Sequence, residues 1–394
     1  MSEIKVNSIK GVSASTAAIS IDNSSGTCTA NITNNLSNRN LIINGAMQVA
    51  QRGTSSTVDG FATLDRFKTA SSGTDELPTQ AQADVAAGTT PYTLGFRKCF
   101  KLTNGNQTSG AGASDKIEIQ TMLEAKDIAN SGWNYLSASS YITLSFWIKS
   151  SVAQAFFVRL QTRDGTAQRY KTSTGSLSAD TWTKVTKKIP GNSNLQFDDD
   201  HNAGLRISFY AFAGTDYSDS SATETWAASA TGNRTSDMTS TWYTTNNATL
   251  RITGVQLEVG SVATDFEHRS YAQELALCKR YFQMSFTDNP GTANTSNDGV
   301  ILWGGSATSS TTSFIGGCFI QHVPSMRATP TVTIFDLASP RNTGKCHRHT
   351  YGIAGQNNQD ATVTDTNING FIMRSGGTHG GTGIVFHYKV EAEL

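Results

Sequence analysis

Three short stretches bring together side-chain types that do chemistry. Asp198, Asp199, Asp200 and His201 gather three carboxylates and an imidazole, a set able to hold a hard cation or polarise water. The run lacks the glycine and the distant bidentate Glu of a calcium loop, and it follows "NSNLQF", so it reads as a solvated turn. "CHRHT" sets His347 and His349 two apart, on the same side of a strand. Around a threefold axis, three such pairs would offer an octahedral set of imidazoles to a transition metal such as iron. Two surface histidines beside Arg348 is the plainer reading, and no metal or cofactor is assigned. "SGGTHGGTG" (375–383) has the glycines of a phosphate loop, but "IVFHYKV" after it alternates as a strand. A phosphate loop instead opens a helix whose amides face the anion. With no Gly-x-Ser-x-Gly, His-Glu-x-x-His or clustered Cys/His ligands, the chain is expected not to be an enzyme. A depolymerase remains the alternative, because a glycosidase needs only two positioned carboxylates and 31 acidic residues are present.

Binding of a saccharide has a better basis. Sugars are held by aromatic faces against their C–H surfaces and by amides and hydroxyls that bond their OH groups. Trp133 with Tyr135, Trp226, Trp242 with Tyr243, and Trp303 lie in polar, turn-like or strand-end settings and are the candidate glycan contacts. Core packing competes at each position, since Trp is bulky and usually partly buried.

The elements that position these residues are mostly strands. In "YITLSFWIKS" Ile142, Leu144, Phe146 and Ile148 share one face, and "AFFVRLQTRDG", "LRISFYAFA" and "TLRITGVQLEVG" repeat the device. Asp164-Gly165 is a hairpin signal. One-sided strands separated by Gly, Asn and Ser turns predict two packed antiparallel sheets, a jelly-roll-like sandwich over 39–267. A helical insert is expected near "TMLEAKDIAN" (121–130). The polar stretch 213–247 is too long for a simple connection, and its Tyr217, Trp226, Trp242 and Tyr243 argue against a disordered linker. Five more strand candidates follow, "VILWGG", "TSFIGGCFIQHV", "TPTVTIFDL", "INGFIMRS" and "GIVFHYKVEAEL", forming a smaller β-domain over 286–394. Residues 1–38 carry too little apolar surface to fold alone and would order only against a partner.

Bulk properties narrow the partners. Thirty-one basic against 31 acidic residues leave no net charge and no basic run, which disfavours nucleic acid and anionic membrane. No apolar run reaches about 18 residues, the length of a spanning helix, so membrane insertion is not expected. Five cysteines, widely spaced and odd in number, read as reduced core residues.

"RSYAQELALCKRYFQM" (269–284) stands apart, with Tyr271, Leu275, Cys278 and Phe282 at helical spacing and Ser270 three places before Gln273 as a capping box. A helix this short is marginal alone. The segment 268–285 is therefore expected to pack this stripe on two sister copies at a threefold axis, with a second stripe, Leu277, Tyr281 and Met284, against a β-domain. A helix docked only on its own domain is the alternative.

Several blocks occur together here: "NRNLIINGAMQVAQRG" (38–53), "VDGFATLDRF" (58–67), "GVQLEVGSVATDFEHRSYAQELALCKRYF" (254–282) and "PSMRATPTVT" (324–333). In combination they resemble tail-fibre and related appendage proteins of tailed bacteriophages, including cyanophages. "SEIKVNSIKG" is similar to the virion-attachment ends of such proteins. The resemblance implies a homotrimeric adhesin on the virion, made in the host cytoplasm. Its N-terminal segment would dock on other tail proteins, and its outer β-domains, the carboxy-terminal one included, would meet host polysaccharide or lipopolysaccharide. It supplies no catalytic residues, and a purely structural virion connector, with a second protein doing the recognition, is the other alternative.

Overall fold

The computed structural model describes Val6, residues 8–9, 19–21, 28–30, 38–286, 299–304, 316–338, 341–350, 353–375 and 383–394. The fold is all-β, as the alternation predicts. Strands Ser8–Ile9 (β1), Ile19–Ile21 (β2) and Cys28–Ala30 (β3) form a small antiparallel sheet.

The sandwich is built from twelve strands. In chain order they are Ser55–Ser56 (β4), Lys68–Ser72 (β5), Thr79–Asp84 (β6), Lys98–Thr103 (β7), Lys116–Glu124 (β8), Tyr141–Ser150 (β9), Ala155–Thr162 (β10), Gln168–Ser176 (β11), Thr183–Pro190 (β12), Ala203–Ala213 (β13), Trp226–Ala228 (β14) and Thr249–Val259 (β15). Sheet I runs β12-β9-β15-β7-β6-β4 and sheet II runs β14-β11-β10-β13-β8-β5, antiparallel throughout. The predicted inner faces meet between them: Phe146 of sheet I and Phe209 of sheet II pack edge to face with centroids 5.0 Å apart. Ile142, Leu144, Val158, Leu160, Leu205 and Ile207 are buried around them. Each such side chain contributes about 1.5–3 kcal/mol relative to exposure.

One break in the alternation is corrected by the backbone. On β15 the inward residues step from Ile252 to Val255, three places instead of two, and the register shifts between Thr253 and Gln256. Gly254 sits in this bulge at φ +62°, with Phe96 where a Cβ would lie, so no other residue serves there.

Four short helices interrupt the strands: Thr90–Thr93 (α1), Ala125–Ala129 (α2), Thr241–Thr244 (α3) and Tyr271–Lys279 (α4). The helical expectation at 121–130 is half met, because β8 continues to Glu124 before α2 begins. On α4 the capping box forms: Gln273 N donates to Ser270 Oγ at 3.3 Å, and Ser270 N donates to Gln273 Oε1 at 3.1 Å. The stripe expected at a trimer axis does not lie free along this helix. Cys278 is fully buried within the one chain, and Phe282 is buried on the next strand under the Arg52 guanidinium, 3.7 Å from its ring. Their apolar surface is already covered by the chain's own sandwich, so only Tyr271, which is exposed, and Leu275, half-buried, remain available to a neighbour.

The remaining strands are Phe282–Met284 (β16), Ile301–Gly304 (β17), Gly316–Gln321 (β18), Thr331–Phe335 (β19), Lys345–Thr350 (β20), Ile353–Asn367 (β21), Gly370–Ser375 (β22) and Gly383–Glu391 (β23). β23 pairs along its length with β16, β17, β19 and β20, and the path continues through β21 and β22 to β18. Past β23 the chain returns to the sandwich. Glu393 takes Arg66 Nη1 on one oxygen and Arg52 Nη2, at 3.0 Å, on the other. The Arg66 guanidinium lies 3.5 Å over the Tyr281 ring, and the Tyr281 hydroxyl donates to Glu124. Arg327 donates to the carbonyls of His201, Ala392 and Glu393.

Candidate functional site

Pleating sends alternate residues of sheet II outward, and register aligns them across five strands. Lys68, Gln120, Ser208, Arg159 and Lys171 pair in succession from β5 to β11. Beside them run Ala70, Glu118, Tyr210, Phe157 and Ser173, and on the other flank Met122, Arg206, Gln161 and Arg169. Glu118, Arg159, Ser208 and Tyr210 are each no more than 2% exposed, while Lys68, Gln161 and Arg206 are half-buried.

This face is short of hydrogen-bond partners. Glu118 is in hydrogen-bonding contact with Ser208 and Tyr210, but four buried polar atoms lack a partner: Arg159 Nε, Gln161 Oε1, Arg169 Nε and Arg206 Nε. They include donors and acceptors. Buried polar groups are ordinarily paired, and leaving one unpaired costs about 1–3 kcal/mol. The outer face of sheet I behaves otherwise. There Thr253 Oγ1 donates to Lys98 O at 2.7 Å, Thr143 Oγ1 to Gly260 O at 2.8 Å, and Gln256 Nε2 to Glu258 Oε1 at 2.9 Å.

The segment after β13 divides the face of sheet II. Tyr217 reaches Ser72 on one flank, with 3.3 Å between hydroxyls, and from the other flank Lys171 donates to Asp219 and to Thr235 O. Arg169 is held by Ser221 and the carbonyls of Ala222 and Thr225. Beneath and beside this cover Glu118 accepts from Lys116 Nζ at 2.8 Å. Burial alone would raise the Glu118 carboxyl, but Lys116 and Arg159 outweigh it and hold the group below its ordinary value. Burial, then the like charges of Arg163 and Arg159, press the Arg206 guanidinium down, and burial followed by Arg206 does the same to Lys68. The half-buried Lys68, Arg206 and Gln161 border the strip that this segment leaves open.

Most of the predicted aromatic contacts lie elsewhere. Trp242 and Tyr243 are buried on α3, where Tyr243 stacks on Phe212 at 4.5 Å and donates to Asp115 at 3.0 Å. Trp226 is buried against Tyr170 and donates to Pro190 O at 2.7 Å, and Trp133 is buried beside Phe197. These four anchor the long 213–247 segment and the sandwich ends, the core role that competed at each position. Tyr135 and Trp303 are half-buried, Tyr135 on Phe197 and Trp303 on β17, and the six residues form no common platform. Trp147 and Trp182, outside the predicted set, are half-buried on sheet I around Phe96 and Cys99.

The polar motifs are tied into turns. Asp198 N donates to Asp164, Asn130 donates to Asp199, Asn202 to Asp200, and His201 Nδ1 lies 2.6 Å from Glu124 Oε2. His347 and His349 both lie on β20, opposite Val385 and Gly383 of β23, and His347 Nδ1 lies 2.7 Å from Asn357 Oδ1, while the His349 side chain lies outside the described residues. Residues 376–382 of the glycine-rich stretch also lie outside them. Among the described residues no three His, Cys, Asp or Glu gather as a metal set.

The signal for Glu118, Arg159 and Arg206 was present in the sequence. In "KIEIQ", "VRLQ" and "LRISFY" the residues between the apolar ones are large and charged, but alternation alone does not say which strands become neighbours.

No family model matches the chain, and no curated protein does. Among solved structures the chain is similar to the enzymatically active domain of tailspike protein 4 from Bacteriophage CBA120, at 11% identity and a TM-score of 0.29 over 56% of this chain. That match spans only 21% of the tailspike chain. A putative sugar-binding protein from Bacteroides thetaiotaomicron matches at 12% identity and a TM-score of 0.30, over 56% of this chain and all of its own. The C-terminal family 22 carbohydrate-binding module from Clostridium thermocellum matches at 9% identity and 0.29, over 58% of this chain and all of the module.

Proposed function

We propose that the chain binds a saccharide without cleaving it, on the open half of sheet II's outer face, as the adhesive part of a virion appendage. One observation carries the reading: four buried donor and acceptor atoms on a single sheet face, Arg159 Nε, Gln161 Oε1, Arg169 Nε and Arg206 Nε, stand without partners. A saccharide offers hydroxyls that donate and accept alike, so one ligand can satisfy both kinds at once. Apolar ligands cannot. Glu118 is the one carboxylate among the outward rows of this face and is already ion-paired to Lys116, whereas glycosidases use two carboxylates. The appendage assignment is supported by the sequence blocks at 38–67, 254–282 and 324–333.

In this reading copies associate, as the resemblance implies, through Tyr271 and Leu275, since Cys278 and Phe282 are occupied inside the chain. Three tethered sites would multiply a weak affinity.

The test is a glycan array probed with the full chain and with Gln161→Ala and Gln120→Ala. Saccharide binding weakened by both substitutions, with no new reducing ends after prolonged incubation, supports the reading. Binding that both variants retain unchanged, or release of reducing ends, overturns it.

A further inference from the structure

Around Arg159 and Arg206 the open half of sheet II is short of negative charge. Arg159 and Arg206 neighbour Glu118, but the Glu118 carboxylate is bonded to Lys116, and among the described residues neither arginine comes within ion-pair distance of a carboxylate. Lys68, half-buried, stands next along the strip and feels the Glu393 carboxylate, with Arg163 beyond Arg206. One carboxylate thus serves Lys116, Arg159 and Arg206, and the cations press on one another at short range. Arg159 is 2% exposed, its Nε lacks a partner, and its guanidinium lies 5.6 Å from the Tyr210 ring. Buried guanidinium groups are ordinarily matched by carboxylate or phosphate, whose oxygens fit their fork of donors. The whole chain carries no net charge, so this local excess is a property of the face and not of the composition.

We propose that the saccharide held on this face is acidic, with a sugar carboxylate or sulfate seated between Arg159 and Arg206. The inference rests on the saccharide-binding reading above. Neutral sugars would satisfy Gln161 but leave the arginines without a counter-charge. An anion between them completes the charge as well as the hydrogen bonds.

Affinity electrophoresis of the full chain tests this, with alginate and chondroitin sulfate as acidic polymers and dextran and galactomannan as neutral ones. An acidic polymer is expected to retard the protein, less so as salt rises, because partly exposed charges are screened. Arg206→Gln should weaken retardation about tenfold or more, the effect of losing a hydrogen bond to a charged group. The same variant should melt at or above the parent temperature, since it removes like-charge repulsion, so lost binding would not reflect lost folding. Retardation by neutral polymers alone overturns the acidic inference and leaves saccharide binding standing. Retardation by none of the four overturns both. Retardation by an acidic polymer that Arg206→Gln and Arg159→Gln both leave intact overturns this location for the anion.

Discussion

Removal of one carboxylate near the end of the chain should loosen the whole molecule. Among the described residues Glu393 is the only carboxylate paired with Arg66, whose side chain is 2% exposed. In Glu393→Ala the guanidinium keeps Met122 O at 2.6 Å and the Tyr281 ring, but loses its counter-charge where water cannot replace it. Breaking a buried pair from one side costs roughly 3–5 kcal/mol. Arg52 adds little, because it retains Asp65 at 3.3 Å and Glu391 at 3.5 Å. A loss of about 3 kcal/mol corresponds to a Tm drop of about 6–12 °C for a cooperative unit the size of the sandwich. Glu391→Ala is the control: its carboxylate is 34% exposed and shared with Lys389, so solvent screens it and the loss should stay below about 1 kcal/mol. Scanning calorimetry of both variants decides. Equal, small shifts would show that Glu393 is not the charge that holds Arg66, and the account of the junction would fail.

Three further outcomes follow from the same geometry. Burial raises the Asp65 carboxyl to about 6 against the opposing pull of Arg52, so between roughly pH 4 and 6 the folded chain keeps a proton that the unfolded chain releases. That contribution is complete below pH 4 and lost as pH rises through 6; urea titrations should show the slope, and Asp65→Asn should remove it. Trp242→Ala should cost about 3–5 kcal/mol in urea while leaving the saccharide affinity of the folded protein unchanged, which separates its core role from a ligand role. Burial lifts the Cys99 and Cys318 thiols to about 11, so a thiol reagent at pH 8 should label these two slowly in the native chain and at once in urea, as peptide mapping would show.

How much of this was legible depends on which face of a strand is read. The inner faces of β9, β10, β13 and β15 were plain, because burial selects apolar types at every second position and a sandwich needs two such faces. Strands β20 and β21 were not, for "KCHRHT" and "IAGQNNQDATVTDTN" carry few apolar residues and are placed by pairing with neighbours. On α4 the cap was visible and its partner was not. A four-three-four stripe states that a helix must be covered, and Cys278 with Phe282 fits the chain's own sandwich as well as a sister copy.

The aromatic candidates mislead for a related reason. A tryptophan in a polar stretch suggests a sugar platform, yet a long loop such as 213–247 needs large apolar anchors to stay ordered, and Trp226, Trp242 and Tyr243 supply them. Anchoring that loop then has a consequence for the face beside it. Tyr217 and Asp219 are carried over sheet II, where they shield Glu118, Tyr210 and Lys171 while Arg206 and Gln161 stay half open. Burial without partners arises from that half-closure: a fully open face would be hydrated, and a fully closed one would need its charges paired or removed. Arg159 and Arg206 therefore stand where a core would exclude them and a free surface would make them ordinary, the position in which a charged ligand gains most from binding.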